Sequence, residues 1–253
     1  MLNLRTASIY MVIFSVVSIL LTIINPQYCW LLTVLGVLYL YLLIAGSVKI
    51  CSGFYMDVFC KGTTNEKVVA LTFDDGPDEI HTAKIADILA KEQVKATFFI
   101  IGSKAGKNEK LLSHIIAEGH TLGNHSYSHA FFFDLFGRKK MERDLQKTDE
   151  TIMALTGENT VLFRPPYGVT NPVLAKVVKK LGYKTIGWSI KSLDTVLKDE
   201  DKIIERIKDR LHPGAVILMH DDREITAKVL EKVILMIKAE GYQFVGLEAI
   251  IGV

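Results

Sequence analysis

Three cysteines in 253 residues, Cys29, Cys51 and Cys60, are too few for a disulfide framework or a thiolate metal cluster. All lie in or beside an apolar stretch, so each is expected to be buried as a small apolar side chain. Charge is missing more sharply: no Asp, Glu, Lys, Arg or His occurs between Thr6 and Val48. As one helix that run would far overshoot a hydrocarbon core of ~30 Å. Asn25-Pro26 breaks it into Thr6–Ile24 and Tyr28–Val48, each near the ~20 residues of a membrane span. Residues 1–50 therefore read as a two-helix transmembrane hairpin. A cleavable signal peptide fits poorly, because Arg5 is its only cation and a second full apolar segment follows directly. Lipid attachment at Cys51 fits no better, since Val48-Lys49-Ile50 are not the small residues that chemistry requires.

Excess charge of either sign is also lacking. Of 30 basic and 28 acidic residues, only Arg5, Lys49 and Asp57 precede residue 61, so the rest of the chain is nearly balanced. With no low-complexity tract, internal repeat or aromatic–basic alternation, this excludes nucleic acid as the expected partner. The turn between the spans is uncharged, whereas Arg5, Lys49, Lys61 and Lys67 flank their outer ends. By the positive-inside rule this small bias leans the downstream domain towards the cytoplasm.

Residues 51–65 read as a juxtamembrane linker, with Phe54, Tyr55 and Phe59 as an interfacial anchor, and residues 66–253 as one domain. Strands are expected at Lys67–Phe73, Ala96–Ile101, Thr121–Gly123, Val161–Arg164, Lys184–Ser189, Ala215–Met219 and Gln243–Val245. Helices are expected at His81–Glu92, Asn108–Glu118, Arg138–Leu155, Asn171–Leu181, Glu200–Arg210 and Glu224–Ala239, with Gly119, Gly157, Gly182 and Gly241 just past four of them. Alternation of this kind indicates an α/β fold with a parallel sheet, open or closed into a barrel. The conspicuous polar residues all fall at or just beyond strand carboxyl ends: Asp74 and Asp75, His125 and His129, Arg164, Asp194 and His220. That is the rim where such folds assemble their sites.

Thr72-Phe73-Asp74-Asp75-Gly76-Pro77 stops the first strand with two carboxylates. Adjacent residues on an extended backbone point opposite ways, so one can bind a cation while the other handles a proton. In His125-Ser126-Tyr127-Ser128-His129 two imidazoles four apart can reach one ion, and with Asp75 they form a two-histidine, one-carboxylate set. Asp74 is then placed to take a proton from the attacking water, and His220 to give one to a leaving group. Each motif alone is equally compatible with a turn, a pair of surface histidines or a histidine closing a strand.

Together with Arg164-Pro165-Pro166-Tyr167-Gly168, a degraded motif around Trp188–Asp194, and Leu218-Met219-His220, these segments make the chain resemble the NodB-type polysaccharide deacetylases, carbohydrate esterase family 4. The likeness covers about residues 66–248. It implies a distorted seven-stranded (β/α) barrel and a divalent metal, usually zinc, on Asp75, His125 and His129. It implies Asp74 as general base oriented by Arg164, and His220 as general acid oriented by Asp194. Because Pro165 and Pro166 lack an N–H, Tyr167 supplies the first free backbone donor after Arg164, an oxyanion contact. Two departures stand in the fourth motif: Lys191 replaces a common acidic residue, and Thr195 a tryptophan that would wall the groove. Phe131-Phe132-Phe133 and Phe136 offer a substitute rim, or simple packing.

The expected activity is a membrane-anchored, metal-dependent hydrolase removing N-acetyl groups from amino-sugar polymers or oligomers. Two alternatives are a deformylase or deacylase of a lipid-linked amino sugar, and an inactive carbohydrate-binding protein on the same scaffold. A polymeric substrate would require the outer side of the membrane, against the charge bias.

Overall fold

The computed structural model describes residues 2–157 and 159–252. Its first elements are α1 (Leu4–Ile24) and α2 (Trp30–Val48), antiparallel and joined by a short 3-10 turn at Pro26–Cys29. Asn3 caps α1, its side chain accepting from the Thr6 N–H at 2.9 Å. Both helices are long and apolar enough to cross a membrane, and almost all of their surface is uncovered, unlike helices of a soluble core. One polar contact, Ser8 Oγ to Tyr39 Oη at 2.8 Å, joins them.

The linker is not loose. Phe54 is buried over Gly46, where any side chain would collide with its ring, and Tyr55 donates to the Leu43 carbonyl. One sequence expectation fails here. Cys51 and Cys60 form a disulfide, and Cys29 is exposed, so none of the three is a plain buried thiol. The pairing arises because the linker doubles back across Gly187 and Trp188: the Cys51 Sγ lies 3.2 Å from the Trp188 carbonyl.

The domain follows as β1 (Val68–Asp74), α3 (His81–Glu92), β2 (Ala96–Ile100), the short α4 (Gly102–Ala105), α5 (Glu109–Ala117), β3 (Thr121–Asn124), α6 (Arg138–Thr156), β4 (Leu162–Phe163) and α7 (Pro172–Leu181). Then come β5 (Lys184–Thr185), β6 (Ile190–Lys191), α8 (Glu200–Lys208), β7 (Ala215–His220), α9 (Glu224–Ala239), β8 (Gln243–Phe244) and α10 (Leu247–Ile251). Among the described residues the strands pair in parallel, in the order β5-β4-β3-β2-β1-β7-β6, with β8 beside the start of β1. This is the distorted barrel expected, with one difference: the strand expected at Lys184–Ser189 is split. Its chain leaves the β4 edge after Thr185 and joins β7 at Ile190, so residues 186–189 bridge the seam. Phe59 of the linker pairs with Ile186 in that seam.

Strand alternation sorts β1 into two faces. Val69, Leu71 and Phe73 pack outward against the helices, in a core shared with Ile85, Leu89, Ile217 and Val233. Ala70, Thr72 and Asp74 point inward, where Ala70 meets Phe99, Leu162, Ile186 and Val216. Leu247 and Ile250 of α10 close the bottom of this inner core, leaving only the rim at the strands' carboxyl ends for polar chemistry. Helix ends obey local rules: Asn171 caps α7 at Val173 and Leu174, and Gly157 and Gly182 end α6 and α7 at φ 72° and 75°.

Candidate active site

Parallel register sets Asp74 opposite His220 on β7 and Phe99 on β2. Behind Asp74 stands Arg164, fully buried just past β4. Its Nη1 donates to Asp74 Oδ1 at 2.7 Å and to Thr72 Oγ1 at 2.9 Å. Its Nε and Nη2 donate to the carbonyls of Ile186 and Gly187, and its plane lies over the Phe99 ring. The seam crossing thus supplies two acceptors that hold the guanidinium, and the guanidinium holds one carboxylate oxygen. The other, Oδ2, faces the site, 3.8 Å from His125 Nε2.

Asp75 turns away from Asp74, but not through the strand pleating expected of adjacent residues. Its φ of 75° is left-handed, so a kink separates the two carboxylates. Asp75 Oδ1 lies 3.5 Å from His125 Nε2 and 3.2 Å from His129 Nε2. One donor atom from each of the three residues falls within 4.8 Å of the others. The donor chemistry fits a divalent cation: His125 Nδ1 lies 2.8 Å from the Arg164 carbonyl, so its N–H points there and the Nε2 lone pair points inward. Burial alone would raise the Asp75 carboxyl, but the two imidazoles and His220 hold it well below the usual range. His129 is lowered to about 4, by burial first and by His125 second.

On the far side, His220 Nδ1 and Asp194 Oδ1 are 2.7 Å apart. Asp194 Oδ2 accepts from the His220 N–H and the Thr226 hydroxyl, both at 2.7 Å. Burial works against the imidazolium, yet Asp194, then Asp74 and Asp75, raise the His220 pKa. Tyr167 sits at φ 59° with its ring 4.8 Å from that of His129. The turn's backbone bonds run from Gly168 to Pro165 and from Val169 to Pro166, and none engages the Tyr167 N–H. Left-handed backbone recurs at Ser126, His129 and Leu193, so strain gathers around this one cleft.

All eight residues named from the sequence converge on this cleft. Others were missed. Asn124, buried at the end of β3, accepts from the Ser126 N–H and donates to Asp149, locking the histidine loop. Thr226 completes the Asp194 contacts, and Lys104 donates to the Asp75 carbonyl at 2.6 Å. Buried Asp221 accepts from Thr82 and lies where any Gly76 side chain would stand, which explains the glycine; burial pushes its pKa to about 7. The only signal for Asn124 and Asp221 was their place beside a strand-end histidine; Thr226 and Lys104 had none. Trp188 of the fourth motif is half-buried against Gly168, where any side chain would meet its ring at 2.5 Å. The phenylalanine run divides, with Phe133 buried in a helix core and Phe131 and Phe132 exposed.

The polysaccharide deacetylase family model matches residues 61–186. A peptidoglycan-N-acetylglucosamine deacetylase of Bacillus cereus is 34% identical over 186 residues, covering 72% of this chain and 86% of its own. The chain belongs to the polysaccharide deacetylase family. Solved relatives of this deacetylase fold agree: a peptidoglycan N-acetylglucosamine deacetylase superposes with a TM-score of 0.72 at 33% identity, covering 76% of this chain and 92% of its own. A CE4 family pseudoenzyme from Bacillus anthracis also superposes at 0.72, with 29% identity and coverage of 77% and 68%. The deacetylase scaffold therefore exists with and without activity.

Proposed function

We propose that the chain is a membrane-anchored N-deacetylase of amino-sugar polymers of the peptidoglycan type, working with a divalent metal, zinc by preference. The observation that carries this is the convergence of Asp75, His125 and His129 between two opposed proton-handling pairs, Asp74–Arg164 and His220–Asp194. Asp75, His125 and His129 would hold the cation. Such an ion, when bound, acidifies water and polarises the amide carbonyl. Asp74 Oδ2 accepts the proton of the attacking water, while Arg164 fixes the carboxylate's other oxygen. The Tyr167 N–H, pointing from its left-handed turn, supports the developing oxyanion. His220 Nε2 protonates the leaving amine, and Asp194 holds the Nδ1 proton that this requires. The inactive-scaffold reading is disfavoured because every group in that sequence of proton movements is present.

The disulfide supports an outward-facing domain. A Cys51–Cys60 bond belongs to an oxidising compartment, and the relatives' named substrate is peptidoglycan. We weigh these above four flanking lysine and arginine residues and place the domain outside. Acetate release from N-acetylated chitooligosaccharides and from peptidoglycan, with and without a chelator, tests the activity. Release that survives complete metal removal, or no release from either substrate by the metal-loaded chain, overturns the reading.

A further inference from the structure

The loop between His129 and α6 carries a cluster of exposed apolar side chains. Phe131, Phe132 and Leu135 are 74%, 60% and 74% exposed. It is nevertheless a fixed loop. Phe133 is buried beneath it and packs tilted against Phe136, and Asn171 Nδ2 donates to the Asp134 carbonyl at 2.6 Å. Three large apolar groups held rigidly in water carry a hydration cost that an unpartnered surface does not recover.

Their location indicates what covers them. Next to Asn171, Thr170 donates its N–H to the Ser47 carbonyl at 3.0 Å and its hydroxyl to that of Gly46 at 3.3 Å. Two hydrogen-bonded steps through adjacent residues thus tie the loop to the last turn of α2, the end of the hairpin that meets the domain. Exposed Arg138, Lys139 and Lys140 follow the loop on the first turn of α6. Lys140 lies 3.6 Å over the Phe136 ring. On α7, exposed Lys176 and Lys179 share a groove with Leu4, the first residue of α1. Apolar tips flanked by cations, although Asp57 lines the same groove, and continuous with membrane-spanning helices, match the boundary of an anionic bilayer.

We propose that this loop and the basic first turn of α6 seat on the surface of the bilayer that holds the hairpin. Because the Phe131 ring lies 6.1 Å from that of Tyr167, seating the loop holds the mouth of the cleft at the membrane surface. Glycan attached to or lying along the bilayer is then favoured over soluble glycan. The inference rests on the membrane-hairpin reading of α1 and α2.

The test uses the full chain with Cys29→Ser, its disulfide intact, in nanodiscs containing anionic lipid. Nitroxide labels are placed one at a time through Val37→Cys in α2, Phe132→Cys and Leu135→Cys in the loop, and Leu235→Cys on α9. Oxygen, concentrated in lipid, should relax the labels at 37, 132 and 135 more than a water-soluble nickel chelate does, with the reverse at 235. Lipid-like behaviour at 37 with water-like behaviour at 132 and 135 overturns the seating alone. Water-like behaviour at 37 as well removes the hairpin reading and the seating with it. In a second arm, the Phe132→Ser, Leu135→Ser variant should release acetate from soluble N-acetylglucosamine tetramer within twofold of the parent. It should lose at least fivefold on the same tetramer carried by a lipid in the disc. Equal losses on both would make the loop a sugar platform, and no loss on either would leave it without a role; each result refutes seating.

Discussion

Exchanging Asp194 for asparagine keeps the shape of the side chain and removes its charge, and the structure says what must follow. Three donors converge on the carboxylate: the Nδ1–H and backbone N–H of His220, and the Thr226 hydroxyl. An asparagine has one acceptor oxygen. If that oxygen keeps the backbone and Thr226 contacts, its amide hydrogens face Nδ1 and force the imidazole to accept there. The ring then carries its proton on Nε2 while neutral, and the imidazolium loses its partner. A hydrogen bond to a charged group contributes ~1.5–3 kcal/mol. At ~1.36 kcal/mol per unit, the His220 pKa should fall by about one to two units. The alkaline limb of kcat/KM against pH should move down by the same amount, leaving an approximately 10- to 100-fold loss above it and a smaller loss on the acid side. Stability shifts with it. A histidine whose folded pKa is raised stabilises the fold fully below its unfolded value, and that contribution fades as pH rises through the folded value. Asp194→Asn should therefore destabilise most below about pH 6, near the unfolded histidine pKa of ~6.5. The assays are acetate release across pH 5–10 and thermal unfolding at both ends. An alkaline limb unmoved within about 0.3 unit, with metal content intact, would refute the role of Asp194 in holding the acid charged.

Three further outcomes are expected. Asp74→Asn should keep stoichiometric metal yet lose at least ~10²-fold in turnover, the lower range of general-base catalysis; near-normal acetate release would remove Asp74 as the base. His125→Ala should lose metal by elemental analysis while Arg164–Asp74 keeps the barrel folded, and full metal content would refute the ligand set. Cys51→Ser should destabilise the domain by ~2–3 kcal/mol, the loop-closure entropy for a cross-link spanning 9 residues. Unchanged denaturant midpoints in oxidised parent and variant would show that the linker contributes no constraint.

Much of the molecule follows from order along the chain. The two apolar helices are legible because each run is long and uncharged and the break at Asn25-Pro26 is local. Period and capping place the strands and helices, and with them Asp74, Asp75, His125, His129, Arg164, Asp194 and His220 at strand carboxyl ends. The adjacent carboxylates face different partners through a left-handed Asp75 and not through strand pleating, and no residue pattern announces that kink. The tertiary structure alone decided the rest. Cys51 meets Cys60 because the linker folds back over a seam formed 137 residues downstream of Cys51, by a strand that splits to span the barrel's gap. Arg164 is oriented by carbonyls in that same crossing, and Asp194 by Thr226 on a later helix. Periodicity and caps report free energies between near neighbours in sequence. These contacts belong to packing between segments far apart, and they exist only once the barrel has closed.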